Sequence, residues 1–188
     1  MKTKISLLII AIMLTIGFLH AQSKTEMNKM LIVYFSWSND GNTRNMAEQI
    51  KAATNADIHE IKPVTPYPRD YNACVEQAKK EVNAGYQPPL KTKVDNISEY
   101  DIIFVGSPNW WATIAPPVAT FLSSYNFEGK TIVPFITHEG SRMGRSVSDI
   151  KKLCPNSTIL EGLPVRGGSV RSAGNDIKEW LRKIKMIK

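Results

Sequence analysis

Cysteine, histidine and runs of a single charge are all sparse in this 188-residue chain, and each scarcity removes a class of function. Cys74, Cys154 and three scattered histidines, one of them His20 near the start, supply too few ligands for a metal site, so no metal is expected. Neither the lysine-bearing P-loop nor a Gly-x-Gly-x-x-Gly turn opens the first helical segment, which argues against nucleoside-triphosphate and dinucleotide sites. Gly140-Ser141-Arg142-Met143-Gly144 carries arginine where the elbow of a serine hydrolase needs its nucleophile. Basic residues outnumber acids to give +7, but they are dispersed and no nucleic-acid motif accompanies them. That balance fits an acidic protein partner or an anionic small molecule better than nucleic acid.

What is present begins with Lys2 and Lys4, an uncharged apolar run from Ile5 to Leu19, Ala21, and then a polar stretch from Gln22 to Lys29. This order is that of a secretory signal peptide. The run is shorter than the roughly 20 apolar residues that span a bilayer, so no stable membrane anchor is expected after cleavage. No cysteine follows it to take a lipid, and no paired arginine precedes it. Residues 1–21 are therefore expected to be removed after Ala21, residues 22–29 to act as a linker, and 30–188 to form one domain that is periplasmic or secreted. Losing Lys2 and Lys4 takes the charge from +7 to +5.

Through that domain two kinds of segment alternate. Short β-branched and aromatic runs at Leu31–Phe35, Ile58–Ile61, Ile102–Val105, Thr131–Ile136 and Thr158–Leu160 read as five strands. Helical spacing appears between them: Met46, Ile50 and Ala53; Tyr71, Val75, Ala78 and Val82; Val118, Phe121, Leu122 and Tyr125. A fourth pattern covers Val147–Leu153, and a fifth places Ile177, Trp180, Leu181 and Ile184 on one face. Strict alternation implies a parallel sheet covered on both faces. The all-apolar runs suit central strands, while Asp57, His59 and Glu60 mark a charged edge strand. Pro134 removes a ladder donor and predicts a bulge or an irregular stretch. Cys74 and Cys154 fall on the second and fourth helical segments with the third between them. Two helix spacings of about 8–10 Å exceed the roughly 7 Å limit for bridged Cα atoms, so no internal disulfide is expected.

Three loops follow strands. Ser36-Trp37-Ser38-Asn39-Asp40-Gly41-Asn42-Thr43 brings hydroxyls, a glycine and backbone N–H groups to a helix start, which suits a phosphate; ordinary capping by Asn42 or Thr43 is the alternative. Gly106-Ser107-Pro108-Asn109-Trp110-Trp111-Ala112-Thr113 places two tryptophans where open α/β sheets bind ligands, and their flat faces suit an aromatic ring. Thr137-His138-Glu139-Gly140-Ser141-Arg142-Met143-Gly144-Arg145-Ser146 has glycines that permit close approach to a ligand, with backbone contacts favoured over acid–base roles for His138 and Glu139.

In this order the three segments, FSWSNDGNT, GSPNWWATIAPPVATFL and the tail GRSVSDIKKLCPNSTILEGL, resemble the flavodoxin family over Met30 to Ile187. The resemblance implies a flavodoxin-like three-layer sandwich with a five-stranded parallel sheet of order 2-1-3-4-5, the first and fifth helices on one face. It implies FMN, with the phosphate on the turn of Ser36, Ser38, Asn39, Gly41, Asn42 and Thr43. The ring would stack on Trp110 in the loop with Pro108, Asn109 and Trp111, and backbone around Trp111, Thr137, His138 and Gly140 would meet its edge. It implies electron transfer with an acidic redox partner protein, or oxidoreductase action on a quinone-like small-molecule acceptor; a flavin-free interaction module is the third reading. Many family members are acidic and carry a second aromatic after the fourth strand, and this chain departs on both counts. Tyr67 and Tyr71, on the arm before the second helix, are candidate lids for the open side of the ring.

Overall fold

We analysed a computed structural model that describes residues 28–188, so the leader, its cleavage after Ala21 and most of the 22–29 linker lie outside the described residues. Apolar runs form the middle of one sheet. Strand β1 (Met30–Tyr34) pairs in parallel with β2 (Asp57–Glu60) on one side and β3 (Ile102–Trp110) on the other. Two residues beyond β3, β4 (Thr113–Ile114) folds back antiparallel on it, and β5 (Thr131–His138) adds in parallel along its far side. The outer position is shared by two pieces, β6 (Thr158–Ile159) and β7 (Leu163–Arg166), both parallel to β5. The order β2-β1-β3-β5-β6/β7 is the expected 2-1-3-4-5 with its last strand divided and a short hairpin added.

Period-two alternation sorts the side chains. Ile32, Tyr34, Phe104, Val133 and Phe135 face helices α1 (Asn42–Thr54) and α5 (Gly174–Lys183), which supply Met46, Ile50, Ile177, Trp180 and Leu181. Leu31, Val33, Ile103, Val105, Ile132 and Ile136 face α2 (Tyr71–Ala84), α3 (Pro116–Ser123) and α4 (Ser146–Leu153), which supply Cys74, Val118, Phe121, Leu122 and Ile150. Phe104, Phe121 and Phe135 are fully buried, each worth about 1.5–3 kcal/mol on area grounds. Gly106 makes this packing possible, because a Cβ there would lie 2.2 Å from the Phe135 ring.

Pro134 behaves differently from expectation. Strand β5 passes through it unbroken, with Val105 opposite Pro134 on the β3 side. The irregularity falls on the neighbour: β5 advances three residues from Ile132 to Phe135 while its partner advances four, from Ile159 to Leu163. Ile132 accepts from the Leu160 amide, so its backbone polar groups face that neighbour. Those of Pro134, two residues on, face the same way. The missing N–H thus points at the break, and the extra residue sits where no donor is available.

The second helix also departs from its apolar pattern. Asp70 caps α2 by accepting from the Ala73 amide at 2.8 Å, but the buried residues are Cys74 and Ala78, while Tyr71 is 67% exposed. Tyr71 and Val75 face a cleft instead of the sheet. Cys74 and Cys154 are both free thiols, and burial pushes each up to about 11. Among the described residues no helix is long and apolar enough to cross a membrane.

Candidate functional site

The carboxyl ends of β1, β3 and β5 carry the three loops, side by side. Beyond β1 the chain turns so that the Gly41 amide donates to the Ser38 carbonyl at 2.9 Å and the Asn42 amide to Ser38 Oγ at 3.1 Å. Gly41, at φ +62°, is the N-cap of α1 and offers no side-chain bond, so neither Asn42 nor Thr43 caps the helix. The Thr43 and Arg44 amides lie in the first turn, where the helix has no acceptors for them. Ser36 Oγ is buried without a partner. Ser36, Ser38, Asn39 and Gly41 border a small polar pocket of ≈ 220 Å³ together with Trp37, Arg44 and Arg69.

Strand β3 runs five residues further than its all-apolar segment, through Pro108, Asn109 and Trp110, before reversing at Trp111 and Ala112. Both turn residues have positive φ, 51° and 64°, the combination a two-residue hairpin with primed geometry requires. The adjacent tryptophans part company here. Trp110 packs inward, edge-on to Phe35, Tyr67 and Trp37 with ring centroids 5.4, 4.8 and 6.2 Å away. Trp111 is 43% exposed, donates its indole N–H to the Val75 carbonyl at 3.0 Å and carries Lys79 Nζ 5.0 Å above its ring. Asn109 donates to the Arg142 carbonyl at 2.9 Å, leaving its buried Oδ1 unpartnered.

After β5, Thr137 meets Thr43 through a buried hydroxyl pair at 2.8 Å, joining the first loop to the third. His138 has a buried Nδ1 without a partner, and burial, then Arg142, holds its ring below the usual histidine pKa. Gly140 is open, with nothing near the space a side chain would fill. The close approach belongs to Gly144 instead, at φ +51°, where a Cβ would stand 2.3 Å from the Ala112 carbonyl oxygen. The third loop's glycine therefore seats the hairpin.

These loops and α2 enclose a cleft of ≈ 760 Å³, within the range of small-molecule sites. Ser38, Asn42, Thr43, Pro108, Asn109, Trp110, Trp111, Thr137, His138 and Gly140 all line it, while Ser36, Asn39 and Gly41 lie on the adjoining polar pocket. A flavodoxin family model matches residues 29–184. The chain belongs to the flavodoxin family.

Solved structures agree. A provisionally assigned flavoprotein of Bacteroides eggerthii is 34% identical, covering 84% of this chain and 98% of its own at a TM-score of 0.73. Its counterpart from Bacteroides uniformis is 28% identical over 82% and 98% of the two chains, with a TM-score of 0.72. A Lactobacillus acidophilus flavoprotein solved in complex with FMN is 25% identical over 79% and 99%, with a TM-score of 0.62. No curated protein sequence matches.

Against the flavodoxin pattern, three features of the site escaped the sequence. Trp37 lines both the cleft and the polar pocket, and its position inside the hydroxyl-rich turn was the available signal. The inner face of α2 adds Cys74, Val75 and Ala78 as a wall. Arg69 reaches the polar pocket from the arm before α2. Tyr67 is no lid: it is 6% exposed behind Trp110, and its hydroxyl donates to Glu81, which with burial raises the phenol's pKa. Tyr71 stays at the rim, its ring 6.4 Å from Trp37.

Proposed function

We propose that this protein binds FMN non-covalently in the cleft and carries electrons between partners. One observation carries the reading. Of the four buried side-chain polar atoms without a partner among the described residues, three are Ser36 Oγ, Asn109 Oδ1 and His138 Nδ1, one on each loop. Leaving such an atom unsatisfied costs about 1–3 kcal/mol, so a fold that concentrates them around a cleft is built for a polar ligand. The chemistry divides as FMN does: amides and hydroxyls on the turn, with Arg44 and Arg69 beside it, for a phosphate, the threonine-lined middle for a polyol, and tryptophans for a ring.

When bound, FMN supplies one- and two-electron transfer. The chain's own residues orient and shield it. Trp110, fixed edge-on by Phe35 and Tyr67, offers a stationary aromatic surface, and the Thr43–Thr137 hydroxyl pair locks the phosphate turn to the third loop. His138 Nδ1 and Asn109 Oδ1 are placed to hydrogen-bond the ring's polar edge. Around the mouth, Lys79 and Arg142 have no acidic partner among the described residues. Arg166 and Arg171 stand 3.8 Å from Glu139 and Asp40. That surplus favours an acidic redox partner. The leader supports delivery outside the cytoplasm, and an unfolded exported chain would take up its cofactor there.

The second reading, direct reduction of a quinone-like acceptor, draws on the exposure of Tyr71 and Trp111 at the mouth, which leaves the α2 side of the cleft accessible. Titrating the apoprotein with FMN should give stoichiometric binding and a perturbed visible spectrum; absence of binding refutes the proposal. With the reduced holoprotein, quinone turnover no faster than that of free reduced FMN supports the carrier, and large saturable acceleration supports the reductase.

A further inference from the structure

The arm between β2 and α2 sends one cation to the phosphate turn. Arg69 and Arg44 both border the small polar pocket, but their surroundings differ. Arg44 is ion-paired with Glu60, whereas no carboxylate among the described residues pairs with Arg69. Arg69 is held there by one donor, its Nη1 giving a 3.0 Å bond to the Trp37 carbonyl. Trp37 answers with its indole N–H on the Pro68 carbonyl at 2.9 Å. Two bonds running in opposite directions thus tie the arm to the turn and leave the remaining guanidinium donors, and the whole charge, unmatched.

Across the pocket Ser36 Oγ is buried and unpartnered. A volume of ≈ 220 Å³ is about seven times the ≈ 30 Å³ share of a liquid water, room for a phosphate group with its waters, and its lining of hydroxyls, amides and arginines suits an anion. A lone guanidinium facing an unsatisfied hydroxyl across such a pocket calls for an anion.

We propose that Arg69 is the specificity-determining residue that makes this protein select a phosphorylated flavin over the unphosphorylated one. The inference rests on the FMN reading above. Because Arg69 also holds Trp37, whose ring lines the cleft, occupancy of the phosphate pocket bears on the wall against which the ring is placed.

The test titrates wild-type protein, Arg69→Ala and Arg69→Lys with FMN and with riboflavin at low and high salt, following quenching of flavin fluorescence. Arg69 is exposed, so both variants should fold. Arg69→Ala should weaken FMN roughly ten- to hundredfold, the range of a lost charge-assisted hydrogen bond, leave riboflavin unchanged and flatten the salt dependence of FMN binding. Arg69→Lys should restore part of the FMN affinity and most of the salt dependence. Equal losses of FMN and riboflavin would reduce Arg69 to a prop for Trp37 and overturn the selectivity role, as would unchanged FMN affinity or an unchanged salt slope. Wild-type protein that bound neither flavin would overturn the FMN reading itself, an outcome visible before any substitution is made.

Discussion

The two ends of the sheet are built on opposite terms. At the amino ends of the strands polar groups find partners: the Lys29 ammonium on Glu99 at 2.6 Å, the Tyr100 hydroxyl on Asp57 at 2.8 Å, and Lys130 Nζ on the Tyr100 carbonyl at 2.6 Å. At the carboxyl ends three buried polar atoms have none. One end closes the domain, and the other holds unpartnered polar groups for a ligand to satisfy.

The core between the ends sets the largest effect. Phe104→Ala should cost about 3–5 kcal/mol, read as a shift in the denaturation midpoint, because it empties a fully buried site flanked by Trp180. A loss under 1 kcal/mol would mean the sheet does not depend on this layer. Next, Trp110→Ala should weaken FMN about tenfold in a binding titration, through lost stacking and contact area. A pair of hydroxyl deletions tests the contrast directly. Tyr100→Phe removes a satisfied bond and should lower stability by about 0.5–1.5 kcal/mol with FMN affinity unchanged. Ser36→Ala removes an orphan, so apoprotein stability should hold or rise while FMN affinity falls several-fold. If both variants lost stability alike, the two ends would not differ in the way described.

The smallest effect is a pH dependence. Burial is the largest cause of the lowered pKa of both His138 and His59. The unfolded chain then binds more protons than the folded one, so stability should be full above the ordinary histidine pKa of about 6.5 and fall as pH drops below it. Chemical denaturation between pH 7 and 5 should show that slope reduced in His138→Gln and further reduced when His59→Gln is added. Saturating FMN that engages His138 should alter only the first part.

How much of this was legible depended on which physical signal a residue carries. The runs Leu31–Phe35 and Ile102–Val105 announced central strands because burial on both faces leaves only apolar choices. The strand order came with the family resemblance, and right-handed crossovers then fixed the helix sides. The extension of β3 to Trp110 was hidden because Ser107-Pro108 reads as a turn, although Pro108 pairs in register with Thr137. The division into β6 and β7 was hidden because Pro134 marks a missing donor without saying which strand yields. At the site, ten of the named residues converge on one cleft, since loop position on an α/β sheet is a topological matter. Arg69 was not foreseen because its role depends on an arm of irregular backbone, whose path no periodicity encodes, while Trp37 was overlooked although it sits inside the hydroxyl-rich turn.

The divided outer position of the sheet reaches beyond the site. One border strand carries Asp57, His59 and Glu60, and the other is broken between Ile159 and Leu163, with Pro164 and Arg166 in its second piece. Neither border is a long flat ladder onto which the backbone of another copy could zip. Unpaired strand edges are exposed to that kind of association while a sheet assembles. The proline that denies β5 one hydrogen bond would thereby also help keep concentrated copies of this protein apart.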